Sequence, residues 1–136
     1  MTEFAEVHVT DLTGAALDWA VALTQGYESD RPQGGQLKMK WLGVWIYVVA
    51  GQNIHVHPSN RYSPSVDWAQ GGPIIQAEQI ELSWDGSDGK AFWWKAVHQD
   101  IAQFQMGDTP LVAACRAIVA AKLGETVSVP KELLPC

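Results

Sequence analysis

Cysteine is nearly absent. The chain has two, Cys115 and Cys136, too few for a disulfide framework or a thiolate zinc site. Cys115 falls on the apolar side of an expected helix, where a free thiol acts as a small core hydrophobe. Long apolar runs are missing too. The longest, Trp41 to Ala50, falls far short of the roughly 20 residues that a membrane-spanning helix needs. The N-terminus Thr2-Glu3-Phe4-Ala5-Glu6 is acidic and lacks the basic-then-apolar layout of a signal peptide, so a cytoplasmic protein is expected. Positive charge is in deficit: nine Lys and Arg stand against fifteen Asp and Glu, a net charge of −6. That balance excludes bulk binding to duplex nucleic acid, which requires a cationic surface to release counterions. It leaves room for a compact anionic ligand held by one or two arginines. No Gly-x-Gly-x-x-Gly, P-loop or Gly-x-Ser-x-Gly motif occurs, which removes the commonest nucleotide and nucleophile signatures.

What remains is an ordinary globular composition, with 47% hydrophobic and 18% charged residues in 136, fitting one domain over 1–136. The seven tryptophans are the compositional excess. Indole combines large apolar area with one N–H donor, and suits cores, interfaces and stacking pockets alike.

After a short extended lead at Glu6 to Val9, a helix is expected from Thr13. Leu12 and Leu17 occupy the staple positions, and Ala16, Leu17, Ala20, Val21 and Leu23 form its apolar face. Asp18 stands near the positive end of its dipole, and Gly26 ends it. Tyr27 to Lys40 is polar and interrupted by Pro32, Gly34 and Gly35, the composition of a loop. Trp41 to Ala50 has the content of a strand buried on both faces. Gly51-Gln52-Asn53 is a turn, and Ile54 to His57 alternates as a second strand. Ile80, Leu82 and Trp84 alternate with Glu81 and Ser83, and the Asp85-Gly86-Ser87-Asp88-Gly89 turn returns the chain along Lys90 to Val97. His98 to Gly107 is an irregular link. Thr109 and Pro110 begin a second helix, with Leu111, Ala114, Cys115, Ile118 and Val119 facing the core and Gly124 closing it. Thr126 to Val129 is a short edge strand. The expected fold class is α+β, an antiparallel sheet of about four to five strands with two amphipathic helices on one face.

Between these periodic segments lies Tyr62-Ser63-Pro64-Ser65-Val66-Asp67-Trp68-Ala69-Gln70-Gly71-Gly72-Pro73-Ile74-Ile75, which carries no helical or strand period. Ser, Pro and Gly disfavour regular backbone for separate reasons, yet Tyr62 and Trp68 bring large rings into the segment. The Gly71-Gly72 pair lets backbone approach a ligand while an aromatic stacks on it. Arg61 adjoins the segment, and Arg116 lies beside the apolar stripe of the second helix, where a guanidinium can reach a phosphate or snorkel. The candidate ligand-binding residues are Arg61, Tyr62, Ser63, Ser65, Trp68, Gly71, Gly72 and Arg116. An equally open reading makes the segment scaffold, with Trp68 plugging the core and Pro73-Ile74-Ile75 entering a strand. His55 and His57 share one face of a strand, but zinc takes three or four protein ligands and only His8 and His98 remain. No metal or cofactor is expected.

Three blocks resemble a known family: Leu12-Thr13-Gly14-Ala15-Ala16-Leu17-Asp18-Trp19-Ala20-Val21-Ala22, the segment Tyr62 to Ile75, and Thr109-Pro110-Leu111-Val112-Ala113-Ala114-Cys115-Arg116 with Ala121-Lys122-Leu123-Gly124. They are similar to small phage and prophage proteins grouped as a family of unknown function. Gln33 to Asn60 is longer and more apolar than that pattern. The resemblance implies phage origin and no established reaction. Small phage proteins of this sort often act against host defences, and unrelated ones sequester nucleotide-derived signals. The leading expectation is therefore a non-catalytic accessory protein that binds a small nucleotide-like ligand. One alternative is an inhibitor that docks on a host defence enzyme through exposed tryptophans. Another is a small hydrolase using Ser63, Ser65, His57 and Asp67. Self-association is left open.

Overall fold

The computed structural model describes residues 3–33, 36–42, 44–49, 61–85 and 93–134. In chain order the elements are β1 (Phe4–His8), α1 (Gly14–Thr24), β2 (Glu28–Gln33), β3 (Gln36–Trp41), β4 (Val44–Val49), α2 (Trp68–Glu78), β5 (Glu81–Asp85), β6 (Trp93–Val97), β7 (Phe104–Gly107), α3 (Pro110–Leu123) and β8 (Thr126–Pro130). The class is α+β, as expected. Among the described residues, however, the strands divide among three small antiparallel sheets, β1-β8, β2-β3-β4 and β5-β6-β7, and there are three α-helices.

The reason lies in α1 and α3. Seven consecutive residues of α1, Ala16 to Ala22, are buried, as is most of α3. A helix buried all round belongs at the centre of a fold, not on one face of a sheet. The two pack against each other; α1 also meets β4 and β8, and α3 meets β6 and β7. Each small sheet thus covers part of a helical centre. Leu17, Val21, Ile118 and Val119 are nearly or fully buried there, each worth about 1.5–3 kcal/mol of transfer free energy. A smaller apolar cluster joins Ala113 and Ala117 of α3 to Ala96, Leu82 and Trp94 of the third sheet.

The helix ends follow their local chemistry. Thr109 Oγ1 accepts the N–H of Val112 at 3.1 Å with Pro110 in the first turn, the expected cap. At the C-terminus of α1, Tyr27 N–H donates to Ala22 O and Gly26 N–H to Leu23 O. With Gly26 at φ 98°, this is the reciprocal pair of a Schellman motif. The N-terminus of α1 differs: Thr13 makes no side-chain cap bond, and Gly14 takes φ 55°.

Several local expectations are corrected. Residues 27–40, read as a loop, form β2 and most of β3. Pro32 is tolerated because β2 is an edge strand, and the register shifts between Ser29 and Pro32. β4 is not buried on both faces: Ile46 and Val48 are buried, while Val44 and Trp45 are exposed. Part of the 98–107 link is β7. The β5-β6 hairpin pairs as expected, Leu82 opposite Ala96 and Trp84 opposite Trp94. Its turn at 86–89, the expected 51–53 turn and 54–57 strand with His55 and His57, and Cys136 lie outside the described residues.

Candidate ligand-binding cleft

The largest correction concerns residues 62–75. Trp68–Glu78 is a helix, capped by Asp67, whose Oδ1 accepts the Ala69 N–H at 3.0 Å. The cap and the good helix formers at 69–70 outweigh the glycines and the proline that suggest irregular backbone. Only 61–67 remains irregular, and it is firmly held. Tyr62 N–H donates to Tyr47 O at 2.8 Å, and Val66 and Asp67 N–H groups return to Ser63 O. The Gln70 side chain folds back as a clamp, with Oε1 accepting Ser63 N–H and Nε2 donating to Arg61 O at 2.7 Å.

This short segment is fastened to α1 by Asp18, whose Oδ1 accepts the Ser65 N–H at 2.9 Å. Asp18 is 5% exposed and Ser65 1%. Between the segment and the first turn of α1 lies a cleft of about 270 Å³. Its walls are Gly14, Ala15 and Asp18 on one side and Arg61, Tyr62, Ser63, Ser65 and Val66 on the other, with Val49 beside them.

The electrostatics of the cleft are unusual in one respect. Burial raises the Asp18 carboxyl from the ordinary 3.8 to about 7, since desolvation penalises the ionised form. Ser65 opposes this through its backbone N–H and the nearness of its hydroxyl. That hydroxyl nevertheless falls short of hydrogen-bond geometry: Ser65 Oγ is buried with no partner. Burial likewise pushes the Tyr62 phenol and the Cys115 thiol well up, so Cys115 is a buried, unreactive thiol. The Tyr62 ring centroid stands 5.6 Å from that of Tyr27, tilted against it.

The cleft therefore gathers four residues read from the sequence as candidates, Arg61, Tyr62, Ser63 and Ser65. Trp68 is 55% exposed, so it does not plug the core, and it does not line the cleft. At Gly71 an added Cβ would meet Leu111 Cδ2 and the Pro64 carbonyl oxygen, each at 2.6 Å; this glycine allows α2 to pack closely on α3. Gly72 has open space around it and precedes Pro73, where a Cβ in helical backbone would press on the proline ring. Arg116 lines a different cavity, and its guanidinium donates to Leu12 O at 3.0 Å and Met106 O at 2.7 Å. Sequence reasoning misses two residues that build the cleft, Asp18 and Gln70. For Asp18 the signal was present: a lone carboxylate inside the apolar run Ala16 to Ala22.

Among the described residues no three His, Cys, Asp or Glu side chains gather as a metal site requires. No helix among them is long and apolar enough to cross a membrane.

Fold and cleft together define a small α+β protein in which one irregular segment is clamped over a buried acid. Residues 8–122 match the family described as Bacteriophage P22, NinX, and the chain belongs to that phage family. No curated protein matches it.

Proposed function

We propose that this phage accessory protein binds a small nucleotide-like ligand, without turning it over, in the cleft between α1 and residues 61–66. The observation that carries the reading is the convergence of polar groups with unused capacity on one small space. Ser65 Oγ is buried without a partner, and the first turn of α1 has no side-chain cap, leaving N–H groups to be satisfied from outside the helix. The Asp18 carboxyl, with a pKa of about 7, offers either an acceptor or a donor near neutral pH. A heterocycle edge presents alternating donors and acceptors, which is what Asp18 and Ser65 complement. Arg61 at the wall supplies the cation for an attached phosphate, and Tyr62 an aromatic surface. A volume of about 270 Å³ suits one ring with its substituents, smaller than the usual drug-sized pocket. The phage family gives such binding its context: sequestering a nucleotide-derived host signal is one way in which an accessory protein acts against host defence.

The test is a thermal-shift and calorimetric screen of mononucleotides and cyclic dinucleotides against the full chain, Ser65→Ala and Arg61→Ala. A ligand at a hundred times its dissociation constant adds about 2.7 kcal/mol of stability. The expected result is a shift in the parent chain that weakens in both variants, with the nucleotide recovered intact. No shift with any nucleotide, or an equal shift in all three proteins, refutes the binding; recovery of a hydrolysed nucleotide refutes its non-catalytic character.

One observation favours a second reading. Trp41, Leu42, Val44 and Trp45, around the β3-β4 turn, are between 40% and 81% exposed. Such aromatic anchors suit an inhibitor docked on a host enzyme. Recovery of a stoichiometric host protein by the tagged chain, abolished by Trp45→Ser, would favour that reading over the ligand.

A further inference from the structure

A second cavity, of about 460 Å³, is lined by Thr10, Trp93, Phe104, Gln105, Met106 and Arg116, and shares no residue with the cleft at Asp18. Strand register explains its walls. Lys95 opposes Met106 and Val97 opposes Phe104. Trp93, Lys95, Phe104 and Met106 therefore share one sheet face, because side chains alternate along a strand. Trp93 is 38% and Phe104 48% exposed. Lys95 Nζ stands 4.2 Å from the Phe104 ring centroid, holding positive charge over that aromatic surface.

At the edge of this surface the sequence places a cation that packing has largely concealed. Arg116 is 9% exposed. Its Nε–H and one Nη1–H are fixed on the carbonyls of Leu12 and Met106. A guanidinium has five N–H donors in one plane, so three remain, and the two anchored ones set their direction. Among the described residues no carboxylate forms an ion pair with it. Asp108 and Asp11 act on it only at longer range, against the lowering effect of burial. Gln105 also borders the cavity, but it opposes Ala96 and so leaves the sheet on the other face from Trp93 and Phe104. The Thr10 hydroxyl is already engaged with His8 Nδ1 at 2.9 Å.

From this arrangement we infer that the Arg116 cavity is a second binding site, for a small planar aromatic anion. Its carboxylate or phosphate pairs with the free edge of the Arg116 guanidinium, and its ring lies against Trp93 and Phe104. A purely apolar guest would leave the guanidinium donors desolvated and unpaired, at a cost. A non-aromatic anion would forgo the two rings. The combination selects for ligands that carry both features.

Nitrogen-15-labelled full-length protein titrated with indole-3-carboxylate, indole-3-carboxamide and cyclohexanecarboxylate tests this. The expected result is saturable movement of the Arg116 Nε–H and Trp93 indole N–H resonances with the first probe, bound at least about tenfold more tightly than either control. Phe104→Ala, which removes a half-exposed ring and should leave the fold intact, is expected to weaken it by about tenfold, whereas Arg61→Ala leaves it unchanged. Absence of saturable movement, equal binding of the uncharged carboxamide, or full affinity in Phe104→Ala would overturn the assignment.

Discussion

Replacing Asp18 with Asn separates the cost of the buried acid from everything else that titrates. In the folded protein its pKa is about 7, against an ordinary 3.8. An acid whose pKa is raised on folding holds its proton more tightly in the native state, so its contribution is best at low pH and declines as pH rises. Below about pH 4 both states are protonated and nothing is lost. Between pH 4 and 7 the unfolded chain ionises and the folded one resists, so stability falls with pH. Above about pH 8 both are ionised and the loss is constant. One pKa unit is worth 1.36 kcal/mol, so the plateau is about 4 kcal/mol, of which about 3 accrues between pH 4 and 7. Asn has the same shape, keeps an oxygen to accept the Ser65 N–H, and never ionises. The stability of Asp18→Asn relative to the parent chain should therefore be near zero at pH 4 and favour the variant by a few kcal/mol at pH 8. Urea titrations of both proteins from pH 4 to 9 measure it, with the difference cancelling the other titrating groups. A pH-independent difference, or a parent chain more stable than the variant at pH 8, would show that the carboxyl is not held near neutrality by burial.

Gly71→Ala should destabilise the chain by up to about 2 kcal/mol, because overpacking against Leu111 and the Pro64 carbonyl costs about 1–3 kcal/mol and the helix-propensity gain returns only about 1. Its nucleotide affinity should be unchanged, and calorimetry on the folded variant checks this. Pro73 is exposed within α2 and cannot donate to the helix ladder, so Pro73→Ala should raise the melting temperature, by the equivalent of about 1–3 kcal/mol; a lower value would mean that the ring makes a contact that the helix needs. Glu78 accepts from His98 Nε2 at 2.8 Å and pairs with Lys122 Nζ at 2.9 Å. Burial opposes its ionisation, yet these partners hold its pKa below the ordinary 4.5. Its stabilisation is thus present above 4.5 and lost as pH falls through the lower folded value. Glu78→Gln should cost about 1–3 kcal/mol at pH 7 and little at pH 3 by urea denaturation.

Local chemistry made much of this fold legible in the sequence. Thr109-Pro110 and Gly26 mark helix ends because caps act over one turn, and the β5-β6 pairing follows from its period of two. What escaped was decided at longer range. Pro32 argues against a strand unless the strand is known to lie at an edge, and edges are a property of the assembled sheet. Gly71, Gly72 and Pro73 argue against a helix, yet Asp67 caps one and Gly71 avoids a clash with Leu111 and the Pro64 carbonyl that exists only once the chain is folded. The candidate site was half readable for the same reason. Arg61 to Ser65 are contiguous and reach one cleft, but Arg116 is separated from them by tertiary packing.

Asp18 shows how such a site is built from otherwise conventional parts. Asp18 and Ser65 are 47 positions apart in sequence, so the bond between them closes a long loop and ties segment 61–67 to the central helix. An asparagine at position 18 would accept the same N–H without charge. An aspartate there instead imposes a penalty of about 4 kcal/mol on the native state above neutral pH, comparable to a large fraction of the stability of a typical domain. Hydrogen bonds donated to the carboxylate by a bound ligand would lower its pKa and recover part of that penalty as binding energy. Binding through the ionised acid would then release protons near pH 7, and binding through its protonated form would take them up. The sign of that proton exchange, measured by calorimetry in buffers of different ionisation enthalpy, identifies which form of Asp18 meets the ligand.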